Sequence, residues 1–218
     1  DLMLFYLLYP PVNVVQYITF RTAAAGSTAF LISLLMGPWM IRTLREFQIG
    51  QVVRDELSET HQLKAGTPTI GGLLILAAAL VPTLLWGDLT NTYVWVAMLS
   101  TAAFGFVGFL DDYLKIGRKN HHGLRPRYKL AGQGVVGVAV GLALLWLNGQ
   151  GLYSTELFFP FLKWLTPDLG WLYVPFAVLL LAASSNAVNL TDGLDGLAIT
   201  IFTVAAAALT ALAYVTGH

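Results

Sequence analysis

Two adjacent carboxylates, Asp111 and Asp112, follow the apolar pair Phe109 and Leu110 and precede Lys115 by about one helical turn. Charges of this kind are costly in an apolar segment: even on a lenient insertion scale, a charge at the centre of a membrane span costs roughly 2.5–3.5 kcal/mol. At a helix C-terminus they also oppose the helix dipole. A cation should offset this, and the candidates are Lys115 and a divalent ion such as Mg²⁺, which takes oxygen ligands. Simple solvation of an acidic helix end is the plainer alternative.

Two further segments carry chemistry. In Asn186–Gly196 (NAVNLTDGLDG), Asn186, Asn189 and Asp192 recur every three residues, which keeps them near one helical face. Gly193 and Gly196 then break the helix, and Asp195 stands where it can cap the next one. Amides and carboxylates beside flexible glycines suit hydrogen bonding to a nucleobase or sugar, and support of a metal. In Lys64–Gly72 (KAGTPTIGG), Gly66, Gly71 and Gly72 let backbone approach a ligand closely. Pro68 stops any helix before the following apolar run. Lys64 can pair with a phosphate or carbonyl, or simply flank the start of a span.

These segments must be positioned by apolar helices. The sequence is 56% hydrophobic and only 11% charged, against about 25% charged in a soluble domain, and its mean hydropathy is +0.68. This predicts an all-α, polytopic transmembrane helical bundle, a single transmembrane domain over residues 1–218. A net charge of zero gives no argument for nucleic acid. With no cysteine, disulfides and thiolate zinc sites are excluded. His121 and His122 lack partners at zinc spacing and read as exposed loop residues. No basic stretch precedes a short apolar run and cleavage site, so no cleaved signal peptide is expected.

A span needs roughly 20 apolar helical residues. Six are predicted, at about Phe20–Ile41, Ile70–Trp86, Tyr93–Leu110, Leu130–Leu147, Leu172–Ala187 and Leu197–Val215. The loops after the first and third spans hold ten of the twelve Lys and Arg residues, all but Arg21 and Lys163. By the positive-inside rule those loops are cytoplasmic and the N-terminus is periplasmic. Parity then brings all three polar segments to the cytoplasmic ends of spans. Lys119 and Lys129 add positive charge there, suited to a diphosphate. The region near 149–170, with Pro160, Pro167 and several aromatics, reads as a small periplasmic hairpin or interfacial helix.

The three motifs, KAGTPTIGG (Lys64–Gly72), FLDDYLK (Phe109–Lys115) and NAVNLTDGLDGL (Asn186–Leu197), resemble those of the phospho-N-acetylmuramoyl-pentapeptide-transferase family, within the polyprenyl-phosphate sugar-1-phosphate transferase superfamily. Phe20-Arg21, Gly50–Arg54 (GQVVR) and Lys129 also match, so the resemblance covers essentially the whole chain. It implies an Mg²⁺-dependent enzyme of the bacterial cytoplasmic membrane. Such an enzyme transfers phospho-N-acetylmuramoyl-pentapeptide from its UDP-linked form (UDP-MurNAc-pentapeptide) to undecaprenyl phosphate, giving lipid I and UMP for peptidoglycan synthesis. Its partners would be those two substrates, the lipid bilayer and a second copy in a homodimer, without nucleic acid.

The resemblance also implies residue roles. Asp111 and Asp112 would be catalytic, one acting as general base or, alternatively, as the site of a covalent aspartyl-phosphate, with a lesser part as metal ligands. Lys115 and Lys129 would hold phosphates. Lys64, Asn186, Asn189, Asp192, Gly193, Leu194 and Asp195 would line the uridine end, with Thr69 nearby. Family members have about ten spans and continue beyond the point matching His218. The continuing part carries the main Mg²⁺-binding aspartate and a triple-histidine loop. These residues alone are therefore expected to be an inactive, C-terminally truncated portion.

Three rival readings have their own discriminants. A sister enzyme transferring N-acetylglucosamine-1-phosphate to the same lipid shares the acidic motifs and is told apart by its nucleotide sugar. Aromatic prenyltransferases place another aspartate about one turn on, where this chain has Lys115 and Ile116. A transporter would carry its carboxylates near mid-membrane.

Overall fold

A computed structural model of the chain describes residues 13–46, 71–117, 123–159, 161–162, 164–191 and 196–216. Six α-helices account for most of them: α1 (Ile18–Glu46), α2 (Gly72–Trp86), α3 (Thr92–Gly117), α4 (Pro126–Gly149), α5 (Tyr173–Thr191) and α6 (Leu197–Thr216). The all-α architecture is as the hydropathy pattern predicts. All of these helices except α2 are long and apolar enough to cross a membrane, and the protein is a multi-pass membrane protein. With fifteen described residues, α2 rises only about 22 Å, less than the roughly 30 Å of hydrocarbon.

The chain forms two compact units, Asp1–Gly132 and Gln133–His218, with the boundary inside α4. In the first, α1 packs on α2 and α2 on α3. The Trp86 indole N–H donates to Thr28 Oγ1 across α1 and α2 (3.1 Å), and its ring meets Phe20 edge-on at 6.1 Å. A tight connection joins α2 to α3. The Asp88 carboxylate accepts from the Thr90 N–H and hydroxyl, and Asn91 Oδ1 caps α3 by accepting the Tyr93 N–H at 2.9 Å. Such side-chain caps satisfy N–H groups that the helix start leaves open.

In the second unit α4 and α5 run antiparallel in close backbone contact. A Cβ built on Gly137 would lie 2.9 Å from Val178 Cα, and one on Gly141 would lie 2.9 Å from Val174 Cα. Gly137 and Gly141, four residues apart, form the small-xxx-small stripe that lets two membrane helices approach this closely. α6 contacts α5 and has no buried residue.

Between α4 and α5 the region near 149–170 is a hairpin with an antiparallel bridge, Glu156 to Asp168. The alternative expectation of an interfacial helix does not hold: among the described residues no α-helix lies there, only a 3₁₀ turn at Gly170–Leu172. The reason lies in side chains that compete with helix for the backbone. Asp168 accepts the Gly170 N–H and the Ser154 hydroxyl accepts the Glu156 N–H.

Candidate active site

The acidic pair does not sit at a helix end as expected. α3 continues to Gly117, six residues beyond Asp111, so both carboxylates stand within its last two turns. Adjacent on a helix, they point in different directions, and their surroundings differ. Asp111 is buried, 8% exposed, and its Oδ1 accepts the Leu124 N–H at 2.8 Å. It thereby ties the segment leading into α4 to α3. Asp112 is half-buried and lines an open cavity of about 210 Å³ with Gly72, Leu73, Leu76, Gly105, Gly108 and Phe109. Glycines on both helices open this space, and Phe109 stacks on Tyr113 one turn along (5.9 Å). The cavity therefore offers a carboxylate at the edge of an apolar wall.

The segment held by Asp111 feeds a basic helix start. Pro126 opens α4, suited to a first position that needs no N–H donor, and Arg125 accepts the Tyr128 and Lys129 N–H groups through its carbonyl. Arg125, Arg127 and Lys129 crowd this end, and no acidic residue lies in the first turn. A helix N-terminus already carries partial positive charge, so these cations add to an end of the helix that attracts anions. Phosphate is the anion that helix N-termini and cationic side chains bind together.

The amide motif is placed in the second unit. Asn186 Nδ2 donates to Gln133 Oε1 at 2.8 Å and to the Ala182 carbonyl at 2.9 Å. Gln133 Nε2 donates in return to Asn186 Oδ1 (3.4 Å) and to Ser185 Oγ (3.2 Å). Both Asn186 N–H groups are thus committed inside the α4–α5 seam. Asn189, three residues on, is exposed. Gln133 is 1% exposed and was not among the residues singled out from sequence. The signal was present as the spacing Gln133, Gly137, Gly141, one face of α4, but a glutamine in an apolar run reads equally well as a solvated polar residue. Lys64, Thr69, Asp192, Gly193, Leu194 and Asp195 lie outside the described residues, as do His121 and His122; Lys115 is described only as a backbone position in α3.

Among the described residues no three acidic or histidine side chains cluster to hold a metal. The acidic pair still fits Mg²⁺ as part of a shell. That ion usually keeps waters and takes one or two protein carboxylates plus substrate phosphates. Asp112 faces the cavity, while one Asp111 oxygen is engaged by Leu124.

The sequence profile of glycosyl transferase family 4 matches residues 94–218, more than half of the chain. The chain belongs to glycosyl transferase family 4. The match runs from the start of α3 through α6, so the acidic pair, the basic start of α4 and Asn186 all lie within the family region. Three relatives carry the name phospho-N-acetylmuramoyl-pentapeptide-transferase. That of Koribacter versatilis is 48% identical, covering 99% of this chain and 63% of the relative. Those of Maridesulfovibrio salexigens and Acidobacterium capsulatum are each 50% identical, again over 99% of this chain, and 61% and 63% of their own lengths. The chain thus spans a little over three-fifths of the length of these relatives.

Proposed function

We propose that this chain is part of an enzyme that transfers phospho-N-acetylmuramoyl-pentapeptide from UDP to undecaprenyl phosphate, forming lipid I and UMP at the cytoplasmic face of the bacterial inner membrane. The observation that carries the reading is the Asp111–Leu124 hydrogen bond. It fastens the acid-free, cationic start of α4 to the acidic turn of α3. A group that attracts phosphate is thereby tied to a group that accepts protons, and Asp112 stands beside apolar walls that suit a lipid. The names of relatives about half identical to this chain support the same substrates.

In this mechanism Asp112 is the general base. It takes a proton from the lipid phosphate as a phosphate oxygen attacks the sugar-linked phosphorus of the diphosphate. The new P–O bond forms as the bridging P–O bond breaks, and UMP leaves with the bridging oxygen. Phosphoryl transfer depends mainly on positioning and charge neutralisation, so Lys115 and Lys129 hold the phosphates. Lys64, Asn189, Asp192, Gly193, Leu194 and Asp195 line the uridine end, with Thr69 nearby. Asn186, both of whose N–H groups are committed, contributes by fixing that end of α5. Asp112, with Asp111 behind it, would hold Mg²⁺, which when bound neutralises the diphosphate charge. The working unit is a homodimer with a single transmembrane domain per chain.

The test is Mg²⁺-dependent UMP release by the full-length enzyme, given undecaprenyl phosphate and either UDP-MurNAc-pentapeptide or UDP-N-acetylglucosamine. Release with the muropeptide nucleotide alone is the expected result. Release with UDP-N-acetylglucosamine alone would transfer the assignment to the sister reaction, and release with neither would refute both.

A further inference from the structure

The hairpin between α4 and α5 is held at its base by one buried hydroxyl: Thr155, 1% exposed, accepts from Asn148 Nδ2 at 2.8 Å and donates its hydroxyl to Asp168. Asp168 also takes the Gly170 N–H, and the Tyr153 and Tyr173 hydroxyls bond to each other across the base. Its large apolar side chains point outward. Phe158, Trp164, Trp171 and Leu172 are all at least two-thirds exposed, and Phe161 is entirely so. Phe161 also holds a φ of +70°, a left-handed backbone uncommon for a bulky residue. Contiguous exposed apolar surface of this kind marks a partner or a membrane.

Position decides between them. The hairpin leaves the end of the α4 span within a few residues, since the Leu152 N–H donates to the Leu147 carbonyl. It re-enters α5 directly through the 3₁₀ turn at Gly170–Leu172, whose Trp171 and Leu172 are themselves outward-facing. Both arms therefore start at the ends of two helices long and apolar enough to span a membrane, and aromatic rings are enriched where such spans meet the membrane edge. We propose that the aromatic tip formed by Phe158, Phe161 and Trp164 is a membrane-interface anchor. It rests in the headgroup–acyl boundary of the leaflet at that end of α4 and α5. At the base of the hairpin Asn148, Thr155 and Asp168 bond to one another, which lowers the cost of holding these groups near that boundary.

The chain contains no cysteine, so single labels are clean. Phe161→Cys and Trp164→Cys, each made in an otherwise cysteine-free full-length protein, are labelled with an environment-sensitive fluorophore. The protein is reconstituted in nanodiscs of phosphatidylethanolamine and phosphatidylglycerol. Expected at both sites is a blue-shifted emission, most of it lost when the lipids carry a spin label near the acyl carbonyls, with iodide quenching several-fold weaker than for the free dye. Free-dye iodide quenching with no loss to the lipid spin label would overturn the proposal in favour of a water-exposed loop. Protection from both quenchers would overturn it in favour of a protein partner.

Discussion

Gln133 and Asn186 hold one another by both of their amide groups, at 2.8 Å in one direction and 3.4 Å in the other. The pair closes the end of the α4–α5 seam that Gly137 and Gly141 begin. Val174, Val178 and Asn186 on α5 face Gly141, Gly137 and Gln133 on α4 in antiparallel order. The motif asparagine is thus engaged in the contact between α4 and α5, one turn before Asn189.

Gln133→Ala removes the partner of the part-buried Asn186 amide. Interhelical hydrogen bonds in membranes contribute about 1–2 kcal/mol at most, so a loss of that size is expected, read as a lowered Tm in detergent. An unchanged Tm would show that the pair contributes nothing.

The glycines of α4 separate by position. Gly137→Leu drives a side chain into Val178 Cα and is expected to disrupt the α4–α5 contact, with a large drop in Tm and in the yield of monodisperse protein. Gly134→Ala meets nothing within 4 Å and should be neutral, or stabilising by up to about 1 kcal/mol through helix propensity. Equal effects at the two sites would contradict the seam.

Asp111 and Asp112 should fail in different ways. Asp112→Asn in the full-length enzyme should abolish turnover while nucleotide binding, measured by calorimetry, is retained. Asp111→Ala loses a hydrogen bond to a charged acceptor, a contribution of about 1.5–3 kcal/mol. It frees the segment before α4, so faster amide hydrogen exchange at 123–125 should accompany its loss of activity. Near-normal turnover in Asp112→Asn would remove the base from the mechanism.

The hairpin has an acid limit. The Thr155 hydroxyl, and then the Gly170 N–H, hold the Asp168 carboxyl below its ordinary value of 3.8. A carboxyl depressed in the folded state stabilises above the unfolded pKa and loses that contribution as pH falls through the folded one. Loosening is therefore expected only below about pH 3.8, seen as a change in Trp164 and Trp171 fluorescence. Asp168→Asn should show its altered fluorescence at neutral pH and lack the acid step.

Helices and their order were legible in the sequence because an apolar run long enough to cross a membrane has few other fates. The hydropathy of α4, α5 and α6 therefore located them to within about four residues at each end, whereas α3 runs on past its apolar stretch to Gly117. The motifs at their ends were legible because carboxylates, amides and lysines in such places are costly and need a reason. Side-chain direction was not legible. Asp111 and Asp112 are chemically identical neighbours, and only the return of the chain at Leu124 makes one an anchor and the other a cavity residue. The engagement of the Asn186 amide by Gln133, 53 residues earlier, was equally illegible. The hairpin's outward aromatics and inward Thr155 likewise follow from a pairing of Glu156 with Asp168 that no local pattern encodes. Each of these depends on contacts distant in sequence, which periodicity and propensity do not register.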